Sequence, residues 1–413
     1  MAITIDSIQD RPLLLESDHK LPIVYMQIVF LGSGSISDDG LAGLASLSAD
    51  LLEEGTKKLG ATAFAEKLEE RAIRFGVNVG QETLNINLSS LKAQFGEGFN
   101  LLNSLLSDPN LTEKTLVKIK EQAIGELSRK QSDFDYVAED GLREILFEGS
   151  ALALPPAGTV ESIARIKLDD IRQFLKTAIT RDRAVVLFGG DITQQEAKTY
   201  ADAILKALPR GSVKEIKFIA ASDAGKVKTV VKNSEQAYIY FGAPFDMPSD
   251  SEESYKAGVA SFILGGSGFG SRLMEEIRVK RGLAYSAYSY ISLGQTSSTF
   301  KGYLQTKLES QEEAKEIVLA VIKEFVQKGA TQKELDEAKR FLLGSEPLRN
   351  ETMNGRLNRA FGDFYRKKPV GWSADQLQKI DRLTLKELND FIAAHSEILR
   401  LSIFIVTNGA SDR

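Results

Sequence analysis

The sequence predicts an α+β protein of two homologous domains, each a mixed or antiparallel sheet with helices mainly on one face. Three observations predict it. Strand-like and helix-like stretches run in one order through the first half, and that order returns in the second. Strand pairs occur with no helix between them, as in "VNVGQETLNINLSS", which a purely parallel sheet does not allow. Matched words also recur at nearly one offset. "LDDIRQFL" from Leu168 and "LKELNDFI" from Leu385 stand 217 residues apart, as do "AVVLFGG" near 184 and "LSIFIVTNG" near 401. "LASL" at 44 and "VASF" at 259 stand 215 apart. A fixed internal period is the mark of a duplicated unit.

The elements follow in order. "LPIVYMQIVFLGSGS" is β-rich and ends in a Gly/Ser turn. A helix is predicted from about Leu41 to Glu54, stopped by Gly55. A second helix, "FAEKLEERAIRFG", is predicted to end at Gly76, before the strand pair. Two long helices follow, broken at "SDPNLT". In the second half "QAYIYFGAPF" is a strand, and "YKAGVASFILGGSG" and "SRLMEEIRVKRG" are helices. "AYSAYSYISL" and "STFKGYLQTKL" are strands. Ala314, Ile317, Val318, Val321, Ile322 and Phe325 then recur at helical spacing up to Gly329. Thr331 and Glu334 form a capping box for the next helix. The domains are placed at 1–208 and 229–413, with the polar, Gly/Lys-rich stretch 209–228 as linker.

Composition narrows the function. The 413 residues are 43% hydrophobic and 26% charged, an ordinary globular balance. The net charge is −5 and no Lys/Arg-rich block stands out, which argues against a nucleic-acid partner. With no cysteine, disulfides, thiolate metal sites and thiol nucleophiles are excluded. The two histidines, His19 and His395, lie far apart in sequence, which argues against a histidine-rich zinc site within this chain. No stretch approaches the ~20 apolar residues of a membrane span. The N-terminal residues lack a basic region followed by an apolar one. The chain is therefore expected to be soluble, cytoplasmic as it stands and periplasmic if a leader was removed.

The motif-bearing stretch is "LGGSGFGSRLMEEIRVKRGLAYSAYSY", residues 264–290. Gly266, Gly268 and Gly270 alternate, matching neither G-x-G-x-x-G nor the P-loop. Read alone, they make a helix–helix connection. The whole stretch, with "GLASLSADLLEEGT" at 43–56 and "PPAGTVESIARIKLDDIRQFL" before "VVLFGGD", resembles the pitrilysin and mitochondrial-processing-peptidase family. These are the inverted-motif zinc peptidases, and the resemblance covers nearly the whole chain in order.

The resemblance implies a metal motif H-x-x-E-H on the first long helix. Aligned at Gly55-Thr56, its positions fall on Ser46, Ala49 and Asp50, and all three functional residues are lost. The family's third ligand matches Glu126, which alone holds no catalytic zinc and reads as a solvated or capping residue. The second domain is different. The family's arginine and tyrosine, seven residues apart, match Arg278 and Tyr285. Arginine supplies permanently charged donors and tyrosine a hydroxyl on a rigid ring. Together they could hold a peptide carbonyl or a developing oxyanion.

In heteromeric members the apparatus is split between subunits. The resemblance thus implies a half clam-shell that is the non-catalytic, substrate-positioning subunit of a zinc metalloendopeptidase. It would hold no cofactor and have no peptidase activity alone. Its expected partner is a homologous subunit with an intact H-x-x-E-H and the zinc, and the substrate a peptide or unfolded polypeptide. The alternative is a catalytically silent scaffold or peptide-binding protein of the same fold.

Overall fold

A computed structural model describes residues 3–409 as two compact units. One comprises the chain up to Arg129 with Leu154–Ile216 and Asn350–Gly362. The other comprises Lys130–Ala153, Lys217–Arg349 and the chain from Asp363.

In chain order the first half forms β1 (Thr4–Ile8), β2 (Arg11–Ser17), β3 (Ile23–Leu31), α1 (Leu44–Glu53) and α2 (Gly60–Glu69). It continues with β4 (Arg74–Val79), β5 (Thr83–Leu91), α3 (Lys92–Ser107), α4 (Glu113–Lys130) and α5 (Phe134–Leu146). It closes with α6 (Val160–Arg165), α7 (Leu168–Ala178), β6 (Ala184–Gly190) and α8 (Gln194–Ala207). The second half forms β7 (Val227–Val231), β8 (Gln236–Pro244), α9 (Ser254–Ser261), α10 (Arg272–Met274), β9 (Ala284–Leu293) and β10 (Ser298–Lys307). Then come α11 (Gln311–Lys328), α12 (Gln332–Gly344), α13 (Glu346–Arg349), α14 (Met353–Tyr365), α15 (Trp372–Arg382), α16 (Leu385–Ala394) and β11 (Ser402–Thr407).

The first sheet runs β1-β2-β6-β3-β5-β4 and the second β7-β11-β8-β10-β9. Leave out β1 and the two orders are the same. In each, the short first strand lies parallel to the last, and every other neighbour is antiparallel. The duplication is thus carried by topology as well as by sequence words. Central strands are sealed on both faces. "AVVLFGG" of β6 is buried at every position, so it reads as a continuous apolar run. Phe30 and Phe188 are fully buried in the first core and Phe241 and Phe300 in the second. Each such side chain contributes about 1.5–3 kcal/mol on removal from water.

Two boundaries differ from the sequence reading. The second helix ends at Glu69, and residues 74–76 open β4. Ala72 turns the chain there with φ 50°, which a continuous helix excludes. The first helix begins at Leu44, because buried Asp38 caps it from outside.

Each unit also holds a helix coded by the other half. α5 packs on β8 and β11 of the second sheet. Its Gly141 lets the Phe404 ring approach so closely that a Cβ would lie 2.2 Å from ring carbon. The first ten residues of α14 belong with the first unit. There Met353 and Leu357 sit over Gly189 of β6, where a Cβ would lie 2.6 and 2.7 Å from their side chains.

Candidate functional site

The site in the first unit is built on α1. Asp38 is 2% exposed; its carboxyl oxygens accept the Gly43 and Ala45 N–H groups at 2.9 and 2.8 Å. Burial pushes this carboxyl up to about 7, against the pull of those backbone bonds. The capped helix then sets the motif positions on one face. Ser46 is half-buried, Ala49 buried and Asp50 open to solvent. The Asp50 carboxyl is pushed up to about 6, by desolvation first and then by the charges of Glu53 and Glu126.

The fold therefore brings Asp50 on α1 and Glu126 on α4 within electrostatic reach of each other. The three carboxylates do not make a metal site. Glu53 is turned onto β4, where its Oε1 accepts the Val77 N–H at 2.8 Å. Among the described residues no group of three or more His, Cys, Asp or Glu is placed to hold a metal ion. Ser46 and Ala49 add no imidazole and no base. The residues present do not fit a catalytic zinc.

The site in the second unit is built on the glycine-rich stretch. α9 continues into one wider turn at Phe262–Gly266. Gly268 and Gly270, at φ +67° and +96°, then reverse the chain through conformations that side chains disfavour. Ser271 caps α10, and the helix runs on through Glu275–Val279. Leu273, Met274 and Ile277 are fully buried and fix its inner face. Arg272 is tied to Glu334 at 2.5 Å and to the Gly329 carbonyl at 2.7 Å, so the helix cannot roll freely.

Arg278 emerges beside Ile277 and meets Tyr285 on β9. Its guanidinium carbon lies 4.4 Å from the centre of the Tyr285 ring. It also lies 4.5 Å from the centre of the Phe269 ring, a partner that the sequence reading missed. The signal available was a single aromatic between two glycines in an exposed turn. Tyr285 is 79% exposed and Phe269 68%. Such contacts are worth about 0.5–1 kcal/mol each at exposed sites.

Among the described residues the Arg278 guanidinium makes no hydrogen bond and no ion pair, while its backbone carbonyl accepts the Gly282 N–H at 3.0 Å. Glu276, two residues before it, is engaged by Lys280 at 2.5 Å and Arg281 at 2.6 Å. Their bonds hold its carboxyl below the usual range. Chemically the arrangement is a half-exposed cation, aromatic contacts on its surface and N–H donors without internal acceptors. It can bind a carbonyl or carboxylate oxygen. β9 is the last strand of its sheet, and two N–H groups on its outer edge are already engaged, Ala287 by Met274 Sδ at 3.3 Å and Ile291 by Ser261 Oγ at 3.1 Å.

Residues 13–160 match the family described as Insulinase (Peptidase family M16), and residues 165–342 match the Peptidase M16 inactive domain. The chain is 44% identical over 402 residues to a Helicobacter pylori protein named "Non-peptidase homolog YmxG", covering 97% of this chain and 93% of that one. It is 24% identical over 332 residues to a Bacillus subtilis protein named "Uncharacterized zinc protease YmxG", covering 80% of each. A solved Pseudomonas fluorescens peptidase M16 inactive domain superposes with a TM-score of 0.91 at 25% identity, over 100% of both chains. A solved Helicobacter pylori protease gives 0.84 at 16% identity, covering 98% of this chain and 99% of that one, and so shares the fold.

Proposed function

The chain belongs to peptidase family M16, and from that premise we propose that it is the non-catalytic, substrate-positioning subunit of a heteromeric zinc metalloendopeptidase. One observation carries the reading. The positions that would bind metal hold Ser46, Ala49 and Asp50, while Arg278 and Tyr285 stand in contact with no competing internal partner for the guanidinium. A relative that matches nearly the full length bears a non-peptidase name, which supports the same view.

On this reading a homologous subunit with an intact H-x-x-E-H supplies the zinc. When bound, zinc activates the attacking water. This chain contributes binding and orientation. Arg278 donates to the peptide carbonyl and Tyr285 donates its hydroxyl to the oxygen that becomes negative. An exposed strand edge takes the peptide as an added strand.

The test is reconstitution with the homologous H-x-x-E-H chain of the same organism. The mixture should cleave unfolded peptides where neither chain does alone. Tyr285→Phe keeps the ring and removes one donor, so kcat should fall about 10²–10³-fold with assembly unchanged by gel filtration. Arg278→Ala should lose rate and also substrate affinity. If both variants assemble and cleave at the wild-type rate, the trans-acting role is wrong and a silent scaffold is the better account.

A further inference from the structure

Phe269 has no evident structural reason to be where it is. It is a large apolar side chain, 68% exposed, at the tip of a turn whose flanking residues, Gly268 and Gly270, both adopt positive φ. That backbone excludes most residues at two of three successive positions, so it is a costly way to place an aromatic in water. What the ring meets is Arg278, at 4.5 Å. The same guanidinium meets Tyr285 at 4.4 Å.

A planar guanidinium is attracted to aromatic faces through its own faces, and its N–H donors lie at its edge. Two ring contacts therefore restrict rotation of the side chain and leave donor capacity unused. Among the described residues no acid consumes it. Glu276 is bound by Lys280 and Arg281, and Arg272 on the preceding turn is bound by Glu334.

We propose that Phe269 is a positioning residue for Arg278: with Tyr285 it fixes the guanidinium plane, so that the N–H edge faces a backbone carbonyl of a bound peptide. This rests on the substrate-positioning reading above. A flexible arginine loses rotamer freedom when it is fixed. Part of that ordering is done before the peptide arrives, and preorganisation of this kind raises affinity without adding a contact to the peptide. The cation also gains nothing from a competing carboxylate, so it stays available to a neutral acceptor.

The experiment uses the full chain assembled with the homologous H-x-x-E-H subunit and a fluorogenic unfolded peptide. Four variants are compared: Phe269→Ala, Phe269→Leu, Phe269→Tyr and Arg278→Ala. Loss of one exposed cation–π contact is worth about two- to fivefold. Phe269→Ala and Phe269→Leu should therefore raise KM by about that factor, with melting temperature and assembly unchanged. Phe269→Tyr should restore the wild-type value, because it restores a ring face rather than bulk. On the chain alone, Arg278 side-chain NMR should show a larger ring-current shift and slower guanidinium rotation in wild type and Phe269→Tyr than in Phe269→Ala and Phe269→Leu, where the Tyr285 ring alone remains. If Arg278→Ala loses activity while Phe269→Ala or Phe269→Leu matches wild type, the positioning role is overturned and the substrate-positioning reading stands. If Arg278→Ala itself cleaves at the wild-type rate, the reading falls and this proposal falls with it.

Discussion

Arg356 grips Glu16 across 340 positions of sequence: its Nε and Nη2 reach one carboxylate oxygen at 2.8 and 2.7 Å. Glu16 lies on β2 and is 1% exposed, whereas Arg356 lies on α14, whose N-terminal part the first unit borrows from the end of the chain. Arg356 also donates to the carbonyls of Asn350 and Glu351 at 2.7 and 2.8 Å, so it fixes the entry of its own helix. Arg356→Met would leave a buried carboxylate without its partner. The expected cost is about 3–5 kcal/mol, read from chemical denaturation. Glu16→Met/Arg356→Met should recover most of it, because no charge is then left unpaired. A double variant as unstable as the single one would contradict this account.

The close seat of α5 makes a second prediction. Gly141→Ala puts a methyl 2.2 Å from the Phe404 ring, where neither helix nor strand can yield cheaply. Overpacking of this kind costs about 1–3 kcal/mol. Gly125→Ala on α4 is the control, since nothing lies within 4 Å of the new atom. It should stabilise by about 0.5–1 kcal/mol through helix propensity alone. Thermal melting of the two variants should move in opposite directions.

Asp38 predicts a pH dependence. Its carboxyl is raised from 3.8 to about 7 in the folded chain. Between those values the native state holds a proton that the unfolded state has lost. Its stabilising contribution is therefore full below about 4 and is lost as pH rises through about 7. Asp38→Asn cannot ionise, so its melting temperature should be flatter across that window. It should also be lower at acid pH, because the amide offers one acceptor where the carboxyl bonds two N–H groups. An unchanged pH slope would show that Asp38 is not the group responsible.

The alignment of the lost metal motif can be checked without any activity. Ser46→His/Asp50→His places two imidazoles four apart on α1, with Glu126 within electrostatic reach of position 50. That set should bind about one zinc per chain. The unaltered chain should hold none tightly. Metal analysis after dialysis separates the cases: absence of zinc from the double variant would mean that Glu126 is not the third ligand position.

Local chemistry made much of this fold legible in the sequence. Thr331 and Glu334 do form the capping box that their spacing announces. β9 spans the ten residues, "AYSAYSYISL", that the sequence reading gives as a strand. The repeated words fall on strands and helices that occupy equivalent places in both sheets. The failures have a common cause, which is distance in sequence. Residues 74–76 look helical because they follow a helical pattern without a break, and only pairing with β5 makes them a strand. Arg278 and Tyr285 could be named from a spacing, but Phe269 joins them through two glycine turns that no periodicity reports. The exchanged helices depend on Gly141 accepting Phe404 and Gly189 accepting Leu357, and neither pairing leaves a local trace.

That exchange also sets a timetable for the ribosome. A nascent chain usually folds from its N-terminal domain onward. Here the last strand of the first sheet, β6, emerges long before Met353, Arg356 and Leu357, which seat on it and on β2. Until they appear, the Gly189 seat is open and Glu16 is a carboxylate awaiting its cation. The first unit is therefore finished late, by residues translated after most of the second. A transcript cut short anywhere before Met353 codes for a sheet that is born uncovered.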